Sequence, residues 1–224
     1  MLRQRRYRTR TRGGRATAAV CVLASVLAAS AASAGGLVFA RDDSGSELAR
    51  EAVSLCMRAA ATERESEREA LLEQGLTVAE RAVAASERDA KAHFAVFCNL
   101  GRQVAESGAS LACVSQVKRL RAEIDRTLAL EPHFVDALAA KGAMLVRLPS
   151  LLGGDEDEGE RLLRRAVELA PEDPATRLEL AKALAEKGDD DAALQEANTV
   201  LALAKGAGAP EASEARELAH ALGS

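Results

Sequence analysis

Residues 155–160, DEDEGE, place five carboxylates within six positions, a density that could hold calcium. A helix-flanked calcium loop needs oxygen ligands at positions 1, 3 and 5, glycine at 6 and glutamate at 12. Counted from Asp155, Gly159 falls at position 5 and Ala166 at position 12, so the pattern fails. Carboxylates at the positive end of a helix are the simpler reading, and Asp189, Asp190 and Asp191 read the same way. His93, His133 and His220 lie far apart, and the one acidic neighbour at helical spacing, Asp136 after His133, reads as a helix-start contact. Four cysteines, Cys21, Cys56, Cys98 and Cys113, offer no Cys-x-x-Cys and no Cys/His spacing suited to zinc. Cys56, Cys98 and Cys113 follow residue 40, an odd number that leaves at least one thiol unpaired. A Cys98–Cys113 disulfide is one option, and small buried fillers on helices the other. Phosphate-loop, nucleophile-elbow and metalloprotease motifs are all absent. No nucleophile has an adjacent base, so the sequence predicts no enzyme, metal or cofactor.

What positions these residues is helical. Alanine and leucine dominate the 224 residues, tryptophan is absent and aromatic residues make up 2%. Alanine and leucine lose least on entering a helix, and runs of alternating β-branched residues are missing. The expected fold class is all-α.

Charge is segregated. Residues 1–15 hold seven arginines and no acid; removing seven positive charges from a net −4 leaves −11 for the remainder. So acidic a body lacks the basic surface that phosphate contacts need, which excludes nucleic acid as the expected partner. Residues 16–40 carry no charge. A basic head followed by an apolar run is the layout of an export signal, with cleavage expected after Ala34 or after Ala40. Left uncut, the 25 uncharged residues are long enough to span a bilayer, arginines inside and domain outside. The expected location is therefore exported: periplasmic, or anchored to the cytoplasmic membrane facing outward. Cys21 lacks the setting of a lipoprotein cysteine.

The rest of the chain repeats. The pieces AHFAVFCNL (92–100), ALAAKGAML (137–145) and TRLELAKAL (176–184) begin 45 and 39 residues apart. The pieces RAVAASE (81–87), RTLALEP (126–132), RAVELAP (165–171) and TVLALAK (199–205) begin 45, 39 and 34 apart. The two sets move together, so each unit is a helix pair. Against a basic unit of 34 residues, the longer spacings predict insertions between first and second helices, one near 106–116 and one in LPSLLGGDEDE (148–158). In the latter, Pro149 stops a helix, Gly153 and Gly154 allow a tight bend, and Asp155 caps the next helix. Leu151 and Leu152 are expected to fold back onto the pair. Thr62 with Glu65 reads as a capping box, Asp89 as a cap, Pro132 and Pro171 as helix ends, and Gly188 as a turn. The expected division is a leader (1–40), a linker with a first helix (41–62), about four helix pairs (63–205) and a C-terminal capping helix (206–224).

Leu138, Gly142, Leu145, Leu163, Ala166 and Pro171 in one unit, and Leu180, Ala181, Leu184 and Ala193 in the next, resemble tetratricopeptide (TPR) repeats. Earlier units depart from the pattern: His93 stands where the family usually has tryptophan, and Lys141 where it often has leucine. The elbow Leu148, Pro149, Leu151 or Leu152, Gly153, Gly154 and Asp155 is also similar to that of the periplasmic T-component of TRAP transporters and of the regulator-of-microtubule-dynamics family. These resemblances imply an α-solenoid that holds protein partners through the concave face of its first helices. Helical spacing then places Lys91, Phe94, Cys98, Ala139, Ala143, Leu178 and Lys182 toward that face. Phe94 and Cys98 stand where a terminal-carboxylate clamp would want lysine and asparagine, so no such clamp is expected. The implied function is a non-catalytic envelope adaptor for an exported helix or extended peptide; the alternative is a transport accessory holding a small ligand.

Overall fold

The structure, a computed structural model, describes residues 44–106, 111–204 and 210–223. Among them the chain is all-α, with no strand. The helices are α1 (Glu47–Ala60), α2 (Glu65–Ala85), α3 (Ala90–Glu106), α4 (Leu111–Leu130), α5 (Val135–Arg147), α6 (Glu156–Leu169), α7 (Pro174–Glu186), α8 (Asp190–Leu203) and α9 (Pro210–Leu222), with one 3-10 turn at Ser150–Leu152. The leader, residues 1–40, lies outside the described residues.

Local chemistry starts and stops these helices. Ser46, Asp155, Asp173 and Asp189 each accept an amide hydrogen from three residues on, which satisfies one otherwise orphaned donor. Asp89 does the same for Ala92 at 3.2 Å. The capping box expected at Thr62 does not form: Thr62 Oγ1 donates instead to the Arg58 carbonyl behind it, and α2 starts at Arg64 without a side-chain cap. Proline ends α4, α5 and α6 where expected, and Gly188, at φ +81°, makes the turn into α8.

The helices pack as consecutive pairs, α1 on α2, α3 on α4, α5 on α6 and α7 on α8, with α9 closing against α7 and α8. About four pairs are expected within 63–205, after a flanking first helix; among the described residues that span holds seven α-helices, and the flanking helix 47–60 is the first member of the first of the four pairs. Its stripe Ala49, Ala52, Leu55, Cys56 and Ala59 is fully buried against α2 and α3. Close approach is enforced elsewhere by missing side chains. A Cβ on Gly142 would lie 2.7 Å from the Gly159 carbonyl oxygen, so α5 and α6 touch backbone to backbone.

The two long spacings have different origins. The five extra residues of the 39-residue unit are all in the elbow between α5 and α6, as expected. The eleven extra residues of the 45-residue unit are mostly not a loop: α3 runs 17 residues and α4 runs 20, against 13 and 14 in α7 and α8. Nothing in LACVSQVKRL (111–120) breaks a helix, so the insertion lengthened both partners.

The elbow is a tied bend. The amides of Leu152 and Gly154 donate to the Pro149 carbonyl at 2.8 and 3.1 Å, and the Asp155 amide donates to Leu145 O at 3.0 Å. Gly153 sits at φ +87°, and a Cβ on Gly154 would overlap the Leu148 carbonyl, so both glycines are required. Arg121 of α4 donates to the carbonyls of Gly153 (2.8 Å) and Leu152 (3.3 Å). Leu152 packs against the cluster of Leu100, Val104, Val117, Leu120 and Leu148, that is, onto the preceding pair α3–α4 and the end of α5. Leu151 does not: it is 88% exposed. A three-residue helical turn cannot direct two consecutive side chains to one face, and the second takes the core.

Candidate functional site

The first helices α1, α3 and α5 are unevenly spaced. Ala49 and Ala92, both fully buried, let α1 and α3 approach closely. A disulfide between Cys56 and Cys98 ties the same two helices. Between α3 and α5 the contact is made by bulk. The Phe94 and Phe134 rings lie 5.0 Å apart at 41°, Phe97 stacks beside them at 6.3 Å, and Ile124, Ala137 and Met144 fill in around. Aromatic rings hold helix axes further apart than alanines can.

That spacing leaves a cleft of about 280 Å³. Val53, Ser54 and Met57 of α1 form one wall, Phe94 and Phe134 the floor, and Val135 the far side. Polar groups also line it: Arg50 and Lys91 at the starts of α1 and α3, and Glu131, His133 and the buried Asp136 around the start of α5. The helix starts are fixed by one carboxylate. Asp89 accepts the Ser46 amide at 2.7 Å while capping α3, so it joins the first turns of α1 and α3. Burial pushes Asp89 up, but hydrogen bonds from Ser46 and from the Ala92 and Lys91 amides outweigh it and hold the carboxyl below its usual range.

Of the seven residues expected on the binding face, Lys91 and Phe94 line this cleft, Phe94 as a buried residue at 1% exposure. Ala139, Ala143 and Leu178 are buried between helices. Cys98 is bonded to Cys56, the pairing that replaces the Cys98–Cys113 option; the Cys113 side chain is outside the described part. Lys182 is closed off by Glu214 of α9 at 2.5 Å and by Glu179 at 3.3 Å. Glu179 also takes Arg147 of α5 at 2.9 Å, and Arg147 reaches Glu186 at 3.4 Å. Burial opposes charge on both Arg147 and Glu179, yet their mutual attraction wins, leaving the arginine raised and the glutamate lowered. Ion pairs thus run from α5 through α7 to α9.

The sequence does not single out Arg50, Val53, Met57, Phe134 and Asp136 as cleft residues, because it sets 46–61 apart as a flanking helix and gives Asp136 only a helix-start contact. One signal was available: Ala49, Ala52, Cys56 and Ala59 recur at helical spacing, the pattern of a helix packed tightly on others.

The other candidates resolve structurally. His93 is 7% exposed, with Nδ1 2.7 Å from Glu123 and Nε2 3.1 Å from the Glu87 carbonyl. Within DEDEGE, Asp155 caps α6, while Asp157 and Glu160 hold Lys187 at 2.8 and 2.5 Å. Among the described residues no three His, Cys, Asp or Glu side chains group as metal ligands, and no helix is long and apolar enough to cross a membrane. No protein-family model matches the chain, and no curated protein matches it.

Proposed function

We propose that this protein is a TPR-like α-solenoid adaptor of the cell envelope, exported or anchored by its first 40 residues, that binds partner proteins without catalysing a reaction. The observation that carries this reading is the cleft across α1, α3 and α5: an apolar floor of Phe94 and Phe134 ringed by Arg50, Lys91 and Glu131. An apolar pocket with a charged rim accepts one bulky side chain of a partner segment, while the rim fixes its direction. Consecutive helix pairs, with α1 packed on α3 and α5 on α7, support the solenoid reading. The Cys56–Cys98 bond supports export, because disulfides persist in oxidising compartments. A second reading, a transport accessory holding a small ligand, draws on cleft size: about 280 Å³ sits at the lower edge of small-molecule pockets, roughly 300–1,000 Å³.

The test is affinity capture from envelope fractions with the full chain and with Met57→Glu, which puts a charge on the cleft wall. A stoichiometric protein lost in Met57→Glu, but retained when exposed Leu151 is changed to serine, supports the adaptor. A co-purifying small molecule with no protein, lost in the same variant, supports the second reading. A partner indifferent to Met57→Glu refutes the cleft as the binding site.

A further inference from the structure

One side chain of the elbow is held out in water. Leu151 is the most exposed large hydrophobic residue among those described, yet the turn that carries it is fixed. The Gly154 amide closes that turn onto the Pro149 carbonyl at 3.1 Å, the Asp155 amide ties it to α5, and Arg121 holds the carbonyls of Leu152 and Gly153. A loose loop can fold a leucine away from solvent; this one cannot. Asp155 and Glu156, both exposed, follow the turn directly. The elbow therefore presents an apolar knob with carboxylates behind it.

The cleft of the proposed function has the converse features. Val53, Met57, Phe94 and Phe134 give it apolar surfaces. Its volume of about 280 Å³ exceeds the roughly 150 Å³ cavity that admits a benzene-sized group. Arg50 and Lys91 stand on its α1–α3 side, at the positive first turns of those helices. Glu131 stands at the α4–α5 turn, so a carboxylate entering with the knob is drawn to the α1–α3 side and away from the other.

The knob cannot fill the cleft of its own molecule. Phe134, Val135 and Asp136 line the cleft at the start of α5, and the elbow follows the end of the same helix. α5 has 13 residues; at about 1.5 Å per residue it sets the two features roughly 20 Å apart. The elbow's hydrogen bonds keep it there.

We propose that a second copy of this chain seats its Leu151 in the cleft, with Glu156 against Arg50 and Lys91. Knob and cleft are different patches, so the contact is head-to-tail. Each copy that lends its knob keeps an open cleft, and copies add in a row unless the rotation closes them into a ring. One leucine with its neighbouring carboxylates buries little area, so the contact belongs to the weak, transient class, and an outside partner with a fuller fit displaces it. The proposal rests on the cleft as the docking face.

The test is sedimentation of the purified full chain and of two variants, Leu151→Ser, which lacks the knob, and Met57→Glu, which spoils the cleft. Concentrations run up to about 0.5 mM, where weak contacts populate. The wild type is expected to grow in average mass with concentration, while each variant alone stays smaller. An equimolar mixture of the two variants regains a paired species and nothing larger, because one supplies only clefts and the other only knobs. Far-ultraviolet circular dichroism checks that Met57→Glu is folded, and Val53→Glu takes its place if it is not. A wild type that does not associate, a variant that associates as the wild type does, or a mixture that fails to pair each overturns the contact. No envelope partner enters this assay, so self-association can fail while capture through Met57 succeeds, and the reverse.

Discussion

Removing the Cys56–Cys98 bond tests how the first two helix pairs are held. The bond closes a loop of 42 residues. Chain-entropy bookkeeping for a loop of that length gives roughly 13 cal/mol/K, or about 4 kcal/mol at 25 °C, of denatured-state freedom restored when the link is lost. The right perturbation is the double variant Cys56→Ala/Cys98→Ala, because a single variant leaves a buried thiol with a new neighbour. Alanine suits the site, since Ala52 and Ala59 on the same stripe are already buried at the α1 contact. Unfolding in urea, followed by far-ultraviolet circular dichroism, reads the effect. With a slope of about 2 kcal/mol per molar, the midpoint falls by about 2 M relative to the oxidised protein, and the oxidised protein treated with reductant falls to match the double variant. A double variant within about 0.5 kcal/mol of the oxidised protein would refute the loop-closure reasoning. So would peptide mapping that joins Cys98 to any other cysteine.

Further outcomes follow from the ion pairs, the glycines and the elbow. Glu179→Ala leaves Arg147 and Lys182 short of their shared partner, and costs about 3–5 kcal/mol in the same urea assay; a loss under 1 kcal/mol contradicts a buried network. Because the folded-state pKa of Glu179 is depressed, its contribution is complete above the ordinary glutamate range and disappears as pH falls through the lowered value. The stability difference between wild type and Glu179→Ala should therefore shrink steadily from pH 5 downward. Gly154→Ala forces a methyl into the Leu148 carbonyl and is expected to lower the melting temperature by several degrees, whereas Gly188→Ala meets open space and costs only its backbone strain. Leu152→Ala should cost about 2 kcal/mol and Leu151→Ala under 0.5, the split that their different burial demands.

Much of the helical layout is legible before any coordinates. Repeat spacing locates every first helix from 90 onward, and Pro149, Asp155, Gly188 and Pro210 mark boundaries within a residue or two. Those signals are local, and local chemistry decides them. What the sequence does not expose is which face of each helix its neighbours consume. Ala139, Ala143 and Leu178 share a helical stripe with any groove residue, but the close α5–α7 packing buries them. Lys182 reads as an open cation until Glu214, on a helix 32 residues later in the chain, covers it. Helix 47–60 carries no recognisable repeat, so its place in the first pair depends on contacts with α3 across 42 residues of chain. The candidate cleft combines both gaps, being half built from that helix and half from an aromatic contact between segments 40 residues apart.

The two ends of the molecule are fastened by unlike means. A covalent link joins α1 to α3, and a relay of opposite charges, Arg147–Glu179–Lys182–Glu214, runs from α5 through α7 to α9. Thiols therefore loosen the α1–α3 link and leave the relay, while acid acts on the relay and also on the Asp89 tie between the starts of α1 and α3. Acidic surroundings would let the α9 end fray, while reducing surroundings would spare α9 and slacken the walls around the cleft. The chemical character of the surroundings thus sets which fastening is lost.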